Sequence, residues 1–389
     1  MGRTKLEAKL TNRGADRVRS GHPWVYRSDV AEVSGEAGDV VRVADRRGRF
    51  LGQAFYNPRS EISLRVAERT EKAIDENWFA DRLHKALDYR KSLYIDADAY
   101  RIVHAEADGV PGLVVDRYGE YLVLQVGSAA VERRLEWTIG ALQELFAPAG
   151  ILARNDSAAR KKEGLDTGVR VLAGEVSDSV VVREGPVRYR ADLWRGQKTG
   201  GFLDQRENHL AAGRYASGRV LDVFSYTGGF ALHAAQRSAS VEAVDSSGPA
   251  LEAVQANAEL NGLENISVTR SNAFDLLRAR SDRGQRYDTV VLDPPAFAKA
   301  KRELSGARRA YKEINLRAMK LLAPSGILIT CSCSYHFSRE LMEETLRSAA
   351  ADAGRTMRVL EWRGQAPDHP EILSIPETHY LKCAVLERI

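Results

Sequence analysis

Five short apolar runs separated by helical segments fill the C-terminal half of this chain, and that alternation leaves few folds open to it. The runs cover residues 220–223, 240–244, 266–269, 289–292 and 326–330. Helical periodicity lies between them at 230–237, 249–261, 273–280 and 310–322. A strand–helix alternation of this kind predicts a doubly wound parallel α/β sheet, Rossmann-like, with its ligand site at the carboxyl ends of the strands.

Those strand ends carry the chemistry. The first runs into Phe224-Ser225-Tyr226-Thr227-Gly228-Gly229-Phe230. A glycine pair there lets the backbone approach a ligand and turn into a helix N-terminus. It is not the G-x-G-x-x-G fingerprint of a dinucleotide site. The second strand ends in Asp245, 16 residues after Gly229, where a carboxylate can accept from a ribose diol. A nucleoside without a pyrophosphate fits this pair, and S-adenosylmethionine is such a cofactor. The fourth strand ends in Asp293-Pro294-Pro295-Ala296-Phe297, whose prolines stiffen a loop at the same edge.

The fifth strand leads into Thr330-Cys331-Ser332-Cys333-Ser334-Tyr335-His336. Three cysteines, an odd number, are too few for a disulfide framework and point to a reducing compartment. No second Cys pair accompanies Cys331 and Cys333, so no metal site is expected. Cys331 is still within the strand and Cys383 near the chain end, and both read as small buried apolar residues. Cys333 lies further into the loop, beside the Asp293 loop, where it can face a substrate. A thiolate adding at carbon 6 of a pyrimidine makes carbon 5 able to attack a methyl sulfonium. Asp293 could then bind the polar edge of a cytosine.

The earlier residues read differently. Residues 1–70 hold 14 Lys/Arg against 9 Asp/Glu, while the rest hold 43 against 44, so the net +4 of the 389-residue chain is concentrated at one end. Short strands and turns over 1–70 suggest a small β-barrel. Trp24, Tyr26, Phe55 and Tyr56 interleave there with Arg13, Arg17, Arg19, Arg27 and Arg59, a mixture suited to RNA phosphates and stacked bases. Trp24 and Phe55 individually read as core. Residues 71–190 read as a central α+β domain with helices over 75–94 and 132–146, and 191–389 as the catalytic domain. Arg154, Arg160, Lys161 and Lys162 could add a phosphate contact, although a charge run is usually a solvated face. The sequence has no apolar run of ~18 residues and no secretory signal pattern, so a cytoplasmic protein is expected. With 44% hydrophobic and 28% charged residues it is neither collagen-like nor disordered.

Together these motifs resemble the bacterial class I 23S ribosomal RNA cytosine-5 methyltransferases of the RlmI type. Gly21-His22-Pro23-Trp24-Val25-Tyr26 resembles the start of that family's PUA domain. Residues Asp108-Gly109-Val110-Pro111-Gly112-Leu113-Val114-Val115-Asp116 are similar to its central domain. Gly196-Gln197-Lys198-Thr199-Gly200-Gly201-Phe202-Leu203-Asp204-Gln205-Arg206 is similar to the entry into its methyltransferase domain. The resemblance implies Cys333 as nucleophile with Asp293 beside it. It implies S-adenosylmethionine contacts from Phe224, Ser225, Tyr226, Thr227, Gly228, Gly229, Asp245, Ser246, Asn272, Ala273 and Asp293. Lys198, Thr199, Phe202 and Gln205 would close over the methionine end. Expected partners are 23S ribosomal RNA or a large-subunit particle and no membrane, with a homodimer left open. An Asp-Pro-Pro-aromatic loop also occurs in enzymes that methylate exocyclic amines, so an RNA amino-group or guanine methyltransferase is one alternative. A non-catalytic ribosome-assembly factor is the other. The late motifs Asp368-His369-Pro370 and Pro376-Glu377-Thr378-His379-Tyr380 read as loops and a hairpin closing the sheet, with His369 and His379 structural.

Overall fold

A computed structural model describes residues 6–298 and 300–389. The chain divides into two compact units. The first holds residues up to Val182 together with Ala191–Leu203 and Pro367–Thr378; the second holds Arg183–Arg190, Asp204–Ala366 and His379–Ile389.

In the first unit, β1 (Glu7–Leu10), α1 (Asn12–Arg19), β2 (Trp24–Tyr26), β3 (Val30–Val33), β4 (Val40–Ala44), β5 (Phe50–Tyr56) and β6 (Ile62–Glu68) follow in order. The strands form a six-stranded sheet, β2-β6-β5-β4-β1-β3. Period-two alternation sends Ala8, Leu10, Val41, Val43, Ala54, Leu64 and Val66 to one core. Thr11 starts α1 by accepting from Gly14 N. Phe55 leaves that core, stacks with Phe79 and meets Trp78 edge to face.

Asp75 caps α2 (Glu76–Ser92) through Trp78 N. The strands β7 (Ala99–His104), β8 (Leu113–Tyr118), β9 (Tyr121–Val126), β10 (Gly150–Asn155) and β11 (Gly168–Gly174) make a second sheet, ordered β11-β10-β9-β8-β7. Between β9 and β10 the expected single helix is two, α3 (Ala129–Arg133) and α4 (Leu135–Phe146). The break is Arg134, which leaves helical geometry while its guanidinium reaches Gly38 O at 2.8 Å. A short α5 (Ala158–Lys162) precedes β11. Two members of the basic cluster are not a phosphate contact. Arg154 and Arg160 are buried and spent internally, on the carbonyls of Leu193 and Gly196 and on Asp166 O and Glu132 respectively. Lys161 and Lys162 remain exposed.

The hairpin of β12 (Ser179–Glu184) and β13 (Val187–Asp192) leads into the second unit. Asn261 and Asn257 accept from Arg188 N and Arg190 N and fix that hairpin's inner part to the helix that carries them. There follow α6 (Arg206–Tyr215), β14 (Arg219–Val223), α7 (Gly229–Ala235), β15 (Ser240–Asp245), α8 (Gly248–Leu260), β16 (Ile266–Arg270), α9 (Ala273–Asp282), β17 (Tyr287–Leu292), α10 (Leu304–Leu321), β18 (Leu322–Ser332), α11 (Arg339–Ala353), β19 (Met357–Arg363) and β20 (Lys382–Arg388). The sheet order is β16-β15-β14-β17-β18-β20-β19. The first five strands are parallel, as expected, and β20 and β19 add an antiparallel edge. Strand order reverses between β14 and β17, so their carboxyl ends form the switch-point crevice. The late motifs lie in the connection from β19 to β20, and the flanking strands, not the motifs themselves, form the closing hairpin. His369 is buried near the ring of His104 and His379 is exposed.

Candidate active site

The site of the second unit starts at the end of β14. Phe224 and Tyr226 both hold positive φ, 66° and 48°. Such conformations cost a non-glycine residue about 1–3 kcal/mol each and persist where the surroundings over-determine them. Here the end of β15 does so. Phe224 N and Ser225 N both donate to Val244 O, at 2.9 and 3.0 Å, and Tyr226 N donates to Asp245 Oδ2 at 3.0 Å. Between Phe224 and Tyr226, Ser225 Oγ is buried without a hydrogen-bond partner among the described residues.

The glycine pair serves two separate needs. Gly228 caps α7 at φ +93°, in the left-handed region. Gly229 lies against the His209 ring, and a Cβ there would sit 2.4 Å from its Cε1. His209 Nδ1 pairs with Glu184 Oε1 at 2.8 Å, and His233 Nε2 meets the same oxygen at 3.1 Å. Burial alone would raise the carboxyl of Glu184, but His209 and then His233 hold it far below the usual range. Burial would likewise lower His209, and the Glu184 charge overcomes it and raises the imidazole above its ordinary value.

Asp245 is half-buried. Each of its oxygens accepts one backbone N–H, from Tyr226 and from Ser247 at 2.9 Å, leaving lone pairs for a diol. Ser246 beside it is exposed, and its carbonyl takes Arg270 Nε. Asn272 caps α9 through Phe274 N and Asp275 N, and Ala273 is buried behind it. Phe297 packs against Phe224 and Phe274, with ring centroids 6.5 and 5.9 Å apart, and makes an apolar wall. An apolar wall, a half-buried carboxylate with lone pairs to spare and a buried hydroxyl without a protein partner are groups that suit S-adenosylmethionine.

Asp293 at the end of β17 accepts from Gln205 Nε2 at 2.8 Å. Gln205 Oε1 accepts from Asn208 Nδ2 at 2.6 Å, and Asn208 Oδ1 accepts from Arg363 Nε at 3.1 Å. The chain of bonds orients Asp293 from β19. Asp222 lies fully buried behind it, and burial, then the Asp293 charge, pushes its carboxyl up to about 7.

Cys333 follows the end of β18 and is half-exposed. The serines on either side are pinned by one residue, Tyr311 of α10. Ser332 Oγ donates to the Tyr311 hydroxyl at 2.9 Å, and that hydroxyl bonds Ser334 Oγ at 3.0 Å. Ser334 Oγ also accepts from Ala298 N at 3.3 Å, tying the Asp293 loop to the thiol loop. Cys331 faces Cys383 across the β18–β20 register, both fully buried. Burial, then the neighbouring Cys383 thiol, raises Cys331 well above its ordinary value, so it is not a reactive thiol.

The second unit thus brings together Gln205, Phe224–Gly229, Asp245, Ser246, Asn272, Ala273, Asp293 and Cys333. Lys198, Thr199 and Phe202 belong to the first unit. There Thr199 is buried, donating to Asp116 Oδ2 at 2.7 Å and bonding Tyr118 OH at 3.0 Å, and Lys198 Nζ sits 4.7 Å above the Phe202 ring. Sequence reasoning missed Glu184, His209, Tyr311 and Lys382. Of these His209 sits four residues after Gln205 and Lys382 two after Tyr380, each close to a motif it had singled out.

Residues 8–69 match the family of PUA-like domains, and residues 133–377 match the S-adenosylmethionine-dependent methyltransferases. The Ribosomal RNA large subunit methyltransferase I of Tolumonas auensis is 42% identical over 379 residues, covering 95% of this chain and 96% of that protein. Two solved structures share the fold. One is a candidate SAM-dependent methyltransferase from Streptococcus mutans, 19% identical, with a TM-score of 0.83 over 98% of this chain and all of that one. The other is a candidate methyltransferase complexed with SAH, 18% identical, with a TM-score of 0.84 and the same coverage. This chain is an S-adenosylmethionine-dependent methyltransferase with an N-terminal PUA-like domain, and it belongs to the family of the proteins named Ribosomal RNA large subunit methyltransferase I.

Proposed function

We propose that this protein methylates carbon 5 of a cytosine in large-subunit ribosomal RNA, with Cys333 as a covalent nucleophile. The observation that carries the reading is Cys333 itself, half-exposed and fixed between two serines that Tyr311 anchors, on the strand next to Asp293. The alternative thiol, Cys331, is buried and turned to Cys383. When bound, S-adenosylmethionine supplies the methyl group as a sulfonium electrophile.

The residues of this chain do the rest. The Cys333 thiolate adds to carbon 6 of the cytosine, and the ring electrons move to carbon 5, which becomes the nucleophile. After methylation the carbon-5 proton passes to solvent water, the electrons of that C–H bond re-form the ring double bond, and the thiolate leaves. Asp293, oriented by Gln205, binds the polar edge of the base and assists protonation at ring nitrogen 3. The PUA-like domain, with its exposed Arg13, Arg19, Arg27, Arg46 and Arg47, contributes RNA affinity. The RNA substrate places the reaction in the cytoplasm.

The test is Cys333→Ala with ribosomal RNA from a strain lacking the gene. Methyl transfer should fall at least about 100-fold, as for loss of a covalent nucleophile, with SAH binding retained. Mass spectrometry should find 5-methylcytosine in RNA treated with the unaltered enzyme. A methylated purine, or full activity without the thiol, overturns the reading.

A further inference from the structure

We propose that Lys382 is the internal counter-ion of Cys333, taking the thiol proton and holding the thiolate ready for attack. The inference rests on the covalent role given to Cys333 above. Lys382 opens β20 and pairs in register with Ser332, the residue before the thiol. The residue is only 3% exposed, a rare setting for a lysine unless it is paired. Nζ donates to Ser334 O at 2.7 Å and to Tyr380 O at 2.9 Å. Those carbonyls flank the thiol loop and the start of β20, so the nitrogen is held at the Cys333 turn by backbone on both sides. Two of its three positions outside the chain are thereby used. The third carries a proton in the ammonium and a lone pair in the amine.

No carboxylate forms an ion pair with Lys382 among the described residues, and Cys333 is the acidic group whose charge favours its ammonium. Burial pulls the lysine down to about 8, close to the ordinary ~8.5 of a thiol. Proton exchange between the two is therefore nearly balanced near neutral pH. In the transfer the S–H bond breaks and an N–H bond forms. Thiol and amine become thiolate and ammonium, with no change in net charge and no external base. Expelling the thiolate at the end of the cycle restores the same pair. The other titratable groups on the elements around it are Tyr311 on α10, Asp293 after β17, Asp204 bonded to Tyr380, the buried thiols of Cys331 and Cys383, and Tyr335, His336, His379 and Tyr380 on the adjoining loops. Of these only His336 and His379 can carry a positive charge, and His379 is exposed to solvent.

The experiment reads the pH dependence of iodoacetamide alkylation at Cys333, resolved by peptide mass spectrometry, in the full-length protein. Unaltered protein should show an apparent thiol pKa below the ordinary ~8.5. Lys382→Met should move that value up by about one or more, slow alkylation at pH 7 about 10-fold, and slow methyl transfer comparably. Raising the pH to 9 should recover much of the loss, which a merely structural defect would not allow. Lys382→Arg keeps a positive charge and should keep the low value, the thiol proton then passing to solvent. SAH binding reports folding. If Lys382→Met does not fold, the unaltered protein and Lys382→Arg decide. A Cys333 pKa at or above 8.5 in the unaltered protein, or a profile that Lys382→Met leaves unmoved, overturns the inference. Loss of activity in Cys333→Ala with an unmoved Lys382→Met profile sinks the lysine's role alone; 5-methylcytosine formed without Cys333 sinks the covalent reading.

Discussion

Gly229 shows how one residue at this site can answer to the protein as much as to a ligand. Its missing Cβ makes room for the His209 imidazole, not only for a cofactor. Gly229→Ala should therefore displace His209 from Glu184. The expected cost is about 1–3 kcal/mol of stability, the range for overpacking a filled site. SAH affinity should fall about 10-fold as the turn over Gly228 shifts. Urea denaturation and calorimetric SAH titration check both, and unchanged stability would show that the ring gives way freely. The places of Cys333 and Asp293 at neighbouring strand ends were legible in the sequence because the apolar run of each strand marks its end. Lys382 was not, because its partnership depends on antiparallel pairing of β20 with β18, a contact fifty residues away that no local pattern encodes. Tyr311 was hidden for the same reason, lying inside an ordinary amphipathic helix.

At the scale of elements, one carboxylate joins three of them. Glu184 ends β12, His209 lies on α6 and His233 on α7, and all three meet beneath the turn that follows β14. The strands and helices of the parallel sheet were readable because their periodicity is local. This junction was not, since Glu184 lies 25 and 49 residues from the two histidines and no local pattern encodes their meeting. Its pH dependence has a definite sign. Glu184 is depressed, so its contribution is complete above its unfolded pKa of ~4.3 and fades as pH falls through the folded value. His209 is raised, so its contribution is complete below its unfolded pKa of ~6.5 and fades as pH rises through the folded value. Both are complete between those two limits. The Tm difference between the unaltered protein and Glu184→Ala should thus be largest near pH 5–6. There it should correspond to on the order of 3 kcal/mol, the cost of breaking a buried pair, and it should shrink by pH 9. A difference that stays constant with pH would show that the junction is held by packing alone.

The whole molecule is assembled from a chain that returns to its first unit after leaving it. Pro367–Thr378 comes between two strands of the second unit's sheet, yet it counts among the residues of the first. There Asp368 is fully buried, its Oδ2 accepting from Arg101 N at 2.8 Å and its carbonyl from Arg90 Nη2 at 2.7 Å. Glu377 meets His22 Nε2 at 3.1 Å in the same unit. The motif Asp368-His369-Pro370 stood out in the sequence for its composition, and its role became visible only once the partner strands 267 residues away were in place. A fragment of residues 1–203 lacks this segment, so Arg101 N loses the Asp368 carboxylate and Arg90 Nη2 is left with Asp108 alone. A buried donor left unpaired costs about 1–3 kcal/mol. The fragment should therefore unfold at lower urea than the full chain's first unit, and a synthetic peptide of residues 367–378 in excess should raise its midpoint. The shift should be lost when the peptide carries Asp368→Ala. A fragment whose midpoint ignores the peptide would show that the first unit is complete without the returning segment.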